Sequence, residues 1–303
     1  MMPESELICK EVGWNGIRIS VPVVWETDRL GERYILMECE GFPVLEIKWN
    51  KVKGKFSPHK HLKRIKSAYH NLQSGKEIHS WTVPQSWFKA LSLYNVTGFQ
   101  WKGGLFSGKG LILFCKFCNC ATFLQFYEHH YSKKSGSVST DYKGILSSFK
   151  DHNTNGLYLW SVFDIRIELP QHFQLIRHSF VPGSFELIFE AEGYRVSFYR
   201  WSPASVILCE SDLQRFAQKV FPSLWPGGIS KSCEGSESLE WMSLPPLGFW
   251  KKWYQKLRKE KIFKWVRMWH IPEANRILAV KAERNRPMDI DFLKKICFGY
   301  GVI

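Results

Sequence analysis

Three closely spaced cysteines form the most chemically distinctive motif of the sequence. They are Cys115, Cys118 and Cys120, in the segment CKFCNC. A two-residue gap between cysteines suits a zinc site where the chain turns, and His129 and His130 offer further ligands nearby. The same segment also resembles a β-strand, which would direct Cys115 to one face and the other two cysteines to the opposite face. We adopt the strand interpretation and predict that the protein binds no metal and no cofactor. If the segment instead forms a turn, the three cysteines are the candidate metal ligands.

Two histidine–carboxylate pairs have the residue types needed for general acid–base catalysis. One is His270 with Glu273, and the other is Asp151 with His152. Pro272 indicates that the first pair lies in a turn, and neither pair has a nucleophile in its motif. We therefore predict no catalytic residue.

Two basic segments are the strongest candidates for binding. Residues 48–66 contain eight Lys or Arg and no acidic residue, and residues 251–267 contain eight with a single Glu. The chain has a net charge of +14, and these two segments contribute +8 and +7, so the rest of the chain is close to neutral. Lys and Arg neutralise anionic groups, and the interleaved Trp49 and Phe56 offer rings for stacking. The predicted anion-binding residues are Lys48, Lys51, Lys53, Lys55, Lys63, Arg64, Lys252 and Lys259.

The second half of the sequence repeats the first. Residues 16–25 match residues 164–173, and residues 31–49 align without a gap on residues 183–201. Two matched blocks in the same order indicate duplicated domains. The predicted domains are residues 1–155 and residues 156–303.

Each copy is predicted to place a helix after a strand hairpin. In the first copy, alternating apolar residues indicate strands at 34–40 and 44–49, with Gly41 in the turn between them. Ser57 followed by Pro58 is a helix-start signal, and Ser211 is the predicted cap in the second copy.

The later strands of the two copies match more weakly. Residues 99–101 align with residues 263–265, and residues 110–115 align with residues 276–281. Features found in only one copy, the lysines after Trp49 above all, are the ones in which we expect a specific function.

The order of these elements resembles the PsbP/Mog family. The segment IRISVPVVW, residues 17–25, is similar to the opening pattern F-x-Y-P-x-x-W of that family, and Ser148 with Phe149 is similar to its closing SF pair. The resemblance implies an α+β fold of two tandem copies, each an antiparallel sheet flanked by helices in an α/β/α sandwich. Members are mainly noncatalytic binding proteins, so the resemblance implies a binding role and assigns no individual residue.

The composition predicts where the protein acts. Residues 1–16 lack the basic and apolar regions of a secretory signal, and the longest apolar run, near residues 111–115, is too short to span a bilayer. Eight scattered cysteines without an export signal indicate reduced thiols. These features predict a cytoplasmic protein without a transmembrane segment.

The sequence therefore predicts a noncatalytic cytoplasmic binding or adaptor protein whose basic surface engages an acidic partner, either protein or nucleic acid. One alternative is an enzyme with a site in a cleft between the domains, near His270 and Glu273 or dependent on a metal held by the cysteines. Another is a peripheral membrane-surface protein in which residues 249–263 form a basic amphipathic helix that contacts anionic lipid. The sequence indicates neither the identity of the partner nor an oligomeric state.

Overall fold

A computed structural model describes most of the chain in two compact units. The described residues are 8–71, 77–129, 141–153, 155–209, 212–222, 228–232, 238–243 and 263–303. Unit 1 is Met1–Phe163 and unit 2 is Asp164–Ile303. The observed division follows Phe163, whereas the sequence places it after residue 155.

Ten strands and three helices make up the described part of unit 1. The strands are β1 (Cys9–Trp14), β2 (Ile17–Pro22), β3 (Glu26–Gly31), β4 (Tyr34–Cys39), β5 (Phe42–Lys51), β6 (Glu77–Ser80), β7 (Tyr94–Gly103), β8 (Phe106–Cys115), β9 (Cys120–His129) and β10 (Leu157–Val162). The helices are α1 (Pro58–Asn71), α2 (Gln85–Ala90) and α3 (Tyr142–Ser148).

Nine strands and three helices make up the described part of unit 2. The strands are β11 (Ile165–Pro170), β12 (Gln174–Val181), β13 (Ser184–Ala191), β14 (Tyr194–Trp201), β15 (Gly228–Ser232), β16 (Ser238–Ser243), β17 (Phe263–Ile271), β18 (Arg276–Arg284) and β19 (Tyr300–Val302). The helices are α4 (Ala204–Ile207), α5 (Leu213–Val220) and α6 (Ile290–Phe298).

In the described residues, the main sheet of each unit has seven antiparallel strands in the same order. The order is β3-β4-β5-β9-β8-β7-β6 in unit 1 and β12-β13-β14-β18-β17-β16-β15 in unit 2. By position in the sheet, β7, β8 and β9 are therefore equivalent to β16, β17 and β18. The sequence alignment of the later strands, which matched β7 with β17 and β8 with β18, is displaced by one strand.

The turn between β8 and β9 supports this equivalence residue by residue. Cys115 pairs with Cys120 across that turn, and Ile271 pairs with Arg276 across the turn between β17 and β18. Asn119 and Asn275 each precede the second strand, and both have φ of 54°. Asn is one of the few residues that tolerate this left-handed conformation. The two turns therefore have the same length and the same backbone form.

The predicted hairpin turn at Gly41 is confirmed. Cys39 pairs with Phe42 where β4 meets β5, and the two intervening residues, Glu40 and Gly41, have φ of 52° and 78°. Two consecutive residues with positive φ form the turn whose twist best joins two antiparallel strands. The turn between β13 and β14 repeats this form, with φ of 48° and 81° at residues 192 and 193.

The hairpin of β1 and β2 contributes a buried layer to unit 1. β1 pairs with β2 along its whole length and with β10 on its other side. Trp14 is fully buried and meets Trp160 edge-on, with 5.2 Å between the ring centroids. α3 is tied to β2 where the backbone N–H of Ser20 donates to Ser148 Oγ at 2.8 Å. In unit 2, β11 pairs with β19.

The predicted α/β/α sandwich is wrong, and so is the α+β, PsbP/Mog-like description of the fold. Strands account for 55% of the described residues and helices for 19%, so the fold is β-rich. Described helices other than α1, which has 14 residues, are four to nine residues long. The sequence underestimated the strands because edge strands such as β3 and β12 have no fully buried residue and therefore lack a clear two-residue alternation.

The helix starts agree in part with the sequence. α1 begins at Pro58, and Ser57 Oγ accepts a hydrogen bond from the Lys60 N–H at 3.4 Å, as predicted. At α5 the cap is Asp212, whose carboxylate accepts from the Arg215 N–H at 2.7 Å, while Ser211 lies outside the described residues. None of the described helices has the length and apolar character needed to cross a bilayer.

Candidate functional site: a basic cleft in unit 1

A cleft of 720 Å³ opens where β5 ends and the chain leads into α1. Its basic residues are Lys48, Lys51, Lys55, Lys60, His61 and Arg64. Its apolar lining consists of Trp49, Val52, Phe56, Ile112, Ala121 and Phe123. The volume falls within the range of ligand-binding clefts, about 300–1,000 Å³. We term this site the basic cleft.

Strand pairing and one helix bring the two sides of the basic cleft together. β5 pairs with β9 so that Lys48 lies opposite Phe123. After β5 the chain leaves the sheet, held by the Val52 N–H, which donates to the backbone oxygen of Asn119 at 2.8 Å. α1 then supplies Lys60 and Arg64, which lie on the same face because four residues separate them.

Aromatic rings form the apolar floor of the basic cleft. Phe56 stacks on Phe114 with 4.9 Å between centroids, and Phe123 stacks on Phe99 at 5.0 Å. Phe56 and Phe123 are only partly buried. These two rings therefore offer apolar surface to a ligand while their supporting partners fix their positions.

Most of the positive charge in the basic cleft is uncompensated. Lys48 Nζ lies 2.7 Å from Glu46 Oε1, so this lysine is neutralised. The other four Lys and Arg residues of the cleft have no carboxylate within ion-pair distance in the described part of the chain. Burial lowers the pKa of His61, with a further contribution from the Arg64 guanidinium, so His61 is neutral at pH 7. The cleft thus combines four free cations with an apolar floor.

The equivalent place in unit 2 is filled by apolar side chains. Trp201 takes the position of Trp49, and its ring meets Phe216 of α5 edge-on at 5.3 Å and Phe221 at 6.2 Å. Leu213 completes the same buried cluster. In unit 1, α1 likewise buries Leu62 against Phe99 and Ile112, but the cations of the basic cleft surround this packing.

The structure separates the predicted anion-binding residues into three groups. Those that line the basic cleft are Lys48, Lys51, Lys55 and Arg64. Two others from the same segment, Lys53 and Lys63, are not part of the lining as the described residues define it. Lys252 and Lys259 lie outside the described residues.

Sequence reasoning missed the floor of the basic cleft. Ile112 and Phe123 come from β8 and β9, and sequence spacing does not connect them with residues 48–66. The only available signal was the alternation of apolar residues in those strands, which indicates burial and not a particular neighbour.

The prediction that the three cysteines lie on one continuous strand is wrong. They lie at the turn between two strands. β8 ends at Cys115 and β9 begins at Cys120, so Cys118 lies in the turn between them. The Cys118 thiol donates to Asp151 Oδ2 at 3.3 Å, and Cys115 Sγ lies 3.7 Å from His152 Nδ1. Cys120 is not part of this group, and burial raises its pKa to about 11.

Of the predicted histidine partners of the cysteines, His130 lies outside the described residues, and His129 is described only as the last residue of β9.

The cluster of Cys115, Cys118, Asp151 and His152 does not have the geometry of a catalytic triad. Asp151 Oδ1 lies 2.6 Å from His152 Nδ1, the same nitrogen that faces Cys115. A triad requires the carboxylate and the nucleophile on opposite nitrogens of the ring. Burial, and then the negative charge of Asp151, raise the pKa of Cys118, which disfavours a free nucleophilic thiolate.

The predicted acid–base pair of His270 and Glu273 lies next to a structural ion cluster. His270 lies in β17 and Glu273 in the turn that follows. Just beyond that turn, Arg276 Nε donates to Asp164 Oδ2 at 2.7 Å, and Arg200 binds the same carboxylate. The Arg200 side chain is 8% exposed, so these charges stabilise the fold by satisfying one another.

No known protein family matches the chain, and no curated protein sequence matches it. The functional proposal therefore rests on the chemistry of the basic cleft.

Proposed function

We propose that this chain is a noncatalytic cytoplasmic binding protein that holds an acidic partner in the basic cleft of unit 1. The observation that carries the proposal is the set of four uncompensated cations around a floor of partly exposed rings. The described cysteines form no disulfide with one another, which supports a reducing compartment such as the cytoplasm.

Of the two predicted classes of partner, single-stranded nucleic acid fits the basic cleft better than an acidic protein. Proteins that bind single strands combine cations along the phosphate backbone with aromatic rings on which bases stack. Lys51 and Lys60 provide such cations, and Phe56 and Phe123 provide rings beside them. An acidic peptide would use the same cations but gain little from exposed ring surface unless it also carried apolar residues.

Fluorescence anisotropy with two probes tests the proposal. One probe is a labelled single-stranded oligothymidine, and the other is a labelled oligoglutamate of similar charge. The full chain is compared with the double variant Lys51→Glu/Arg64→Glu, which reverses charge in the cleft lining. The matched control is Lys53→Glu/Lys63→Glu, which makes the same change in the same segment outside the lining.

We expect the full chain to bind oligothymidine more tightly than oligoglutamate. The cleft variant should lose at least tenfold in affinity, and the control should lose much less because its residues do not line the cleft. Equal losses in the two variants would contradict a site in the cleft. Preferential binding of oligoglutamate would retain the cleft and reassign the partner to an acidic protein.

A further inference from the structure

Cys115, Cys118, Asp151 and His152 form a compact group of metal-ligating side chains that do not line the basic cleft. Their ligand atoms all lie within 4.8 Å of one another. Cys115 is fully buried, and the Asp151 side chain is 1% exposed, so the group is enclosed on most sides. We propose that these four residues bind a zinc ion that joins the β8–β9 turn to the segment after α3.

The distances within the group suit a tetrahedral ion. With bonds of about 2.3 Å to sulfur and about 2.0–2.1 Å to nitrogen or oxygen, neighbouring ligand atoms in such a site lie roughly 3.3–3.8 Å apart. Cys115 Sγ lies 3.7 Å from His152 Nδ1, and Cys118 Sγ lies 3.3 Å from Asp151 Oδ2. The Asp151 Oδ1–His152 Nδ1 contact of 2.6 Å is shorter than this range, and the four ligand atoms span up to 4.8 Å, so the side chains must adjust by about 1 Å to close around the ion.

Asp151 is already oriented for this role. Its Oδ2 faces Cys118, while its Oδ1 accepts a hydrogen bond from the Tyr94 hydroxyl at 3.2 Å. A carboxylate that binds a metal through one oxygen is commonly held by a hydrogen bond to the other. Tyr94 is therefore a positioning residue for the proposed site.

The backbone holds both halves of the site in place. Cys115 ends β8, and the turn that carries Cys118 closes at Asn119 in the left-handed conformation. On the other side, Lys150 exchanges two backbone hydrogen bonds of 2.8 Å with Arg18 of β2, immediately before Asp151. The four ligands thus come from two fixed positions that are far apart in sequence.

Unit 2 replaces the whole ligand set with residues that do not bind metal. The shared turn places Ile271 and Ala274 where unit 1 has the two cysteines. Arg166 matches Arg18 in the repeat and pairs with Gly301, so the next two residues, Val302 and Ile303, match Asp151 and His152. Four ligands that change together to apolar residues are better explained by one shared role than by four separate ones.

The ligand types favour zinc over harder cations. Two thiolates, an imidazole and a carboxylate form a soft, mixed set that suits Zn²⁺, whereas Mg²⁺ and Ca²⁺ prefer oxygen ligands alone. Four protein ligands fill a tetrahedral shell, which is typical of a structural site.

Metal titration of the full chain tests the site. The protein is stripped with a chelator under reducing conditions and titrated with Zn²⁺, and with Co²⁺ to observe the visible absorption of a tetrahedral thiolate complex. The variants are Cys118→Ser and His152→Ala. The His152 side chain is 30% exposed, so its truncation disturbs the packing of the fold less. Cys120→Ser is the matched control, because this neighbouring cysteine is not part of the group.

We expect one equivalent of metal and the tetrahedral cobalt spectrum, both lost in Cys118→Ser and His152→Ala and retained in Cys120→Ser. Tyr94→Phe should weaken zinc binding by roughly 10–100-fold while keeping the spectrum. The proposal would be overturned if the reduced wild-type chain binds neither Zn²⁺ nor Co²⁺. It would also be overturned if a Cys115–Cys118 disulfide forms as readily with zinc present as without it. Oligothymidine binding by Cys118→Ser is measured in parallel, so that loss of the metal site is distinguished from failure of the basic cleft.

Discussion

Neutralising two cations of the basic cleft should halve the salt dependence of nucleic-acid binding. Four uncompensated Lys and Arg residues line the cleft, so a bound strand meets up to four cations. Each neutralised phosphate of a single strand contributes about −0.7 to the slope of log affinity against log salt, which gives a slope of about −2.8 for four contacts. The double variant Lys60→Gln/Arg64→Gln retains two, and its slope should be about −1.4.

These slopes predict a large difference over an accessible range of salt. Raising the salt concentration from about 50 to about 200 mM should weaken the wild-type complex about 50-fold and the variant complex about sevenfold. The measurement is the dissociation constant of labelled oligothymidine at several salt concentrations. Lys53→Gln/Lys63→Gln serves as the control and should keep a slope close to that of the wild type, because neither residue lines the cleft.

Two results would refute this reasoning. If the variant and the wild type have the same slope, α1 does not contact the phosphates. If the control loses as much slope as the variant, the positive charge acts as a diffuse field and not through the cleft.

Four further predictions test the cleft and the fold that supports it. Phe56→Ala should weaken oligothymidine binding by about 1–3 kcal/mol through the loss of a stacking ring, and an unchanged affinity would exclude Phe56 as a stacking platform. Affinity should rise as the pH falls below 6.5, the ordinary pKa of histidine, because burial lowers the pKa of His61 and its protonation then adds a cation to the cleft; the His61→Gln variant should lack this rise. Asp164→Asn should lower the free energy of unfolding of the chain in urea by about 3–5 kcal/mol, since it leaves the mostly buried Arg200 without its carboxylate; a change below about 1 kcal/mol would contradict that role. Gly110→Ala should destabilise by about 1–3 kcal/mol, because its Cβ would meet the Phe99 ring at 1.9 Å, whereas Gly301→Ala has open space and should have little effect in the same assay.

Local sequence signals predicted local structure well. Glu40 and Gly41 form the expected turn because few residue types tolerate positive φ angles at two successive positions. Ser57 and Pro58 start α1 because Ser57 accepts a hydrogen bond from a first-turn N–H and Pro58 has no N–H that needs a partner. The arrangement of layers was not predictable in the same way. Edge strands such as β3 bury few side chains, so their sequences carry little periodicity, and the sheet contains more strands than the alternation indicates.

The candidate sites show the same division between local and long-range information. The lysines after Trp49 indicated an anion-binding segment, since charge is visible in the sequence. The rings that face them come from β8 and β9 through strand pairing, which residue spacing does not reveal. Likewise, CKFCNC allowed either a strand or a turn, and only the fold brings its first two cysteines to Asp151 and His152.

The most direct test of the basic cleft is the reactivity of individual lysines with and without bound oligothymidine. Brief acetylation followed by mass spectrometry measures the rate at each lysine of the full chain. Binding in the cleft predicts that Lys51, Lys55 and Lys60 react more slowly in the complex, while Lys53 and Lys63 change little. Protection confined to Lys252 and Lys259 of the second basic segment, with the cleft lysines unchanged, would contradict the proposed function.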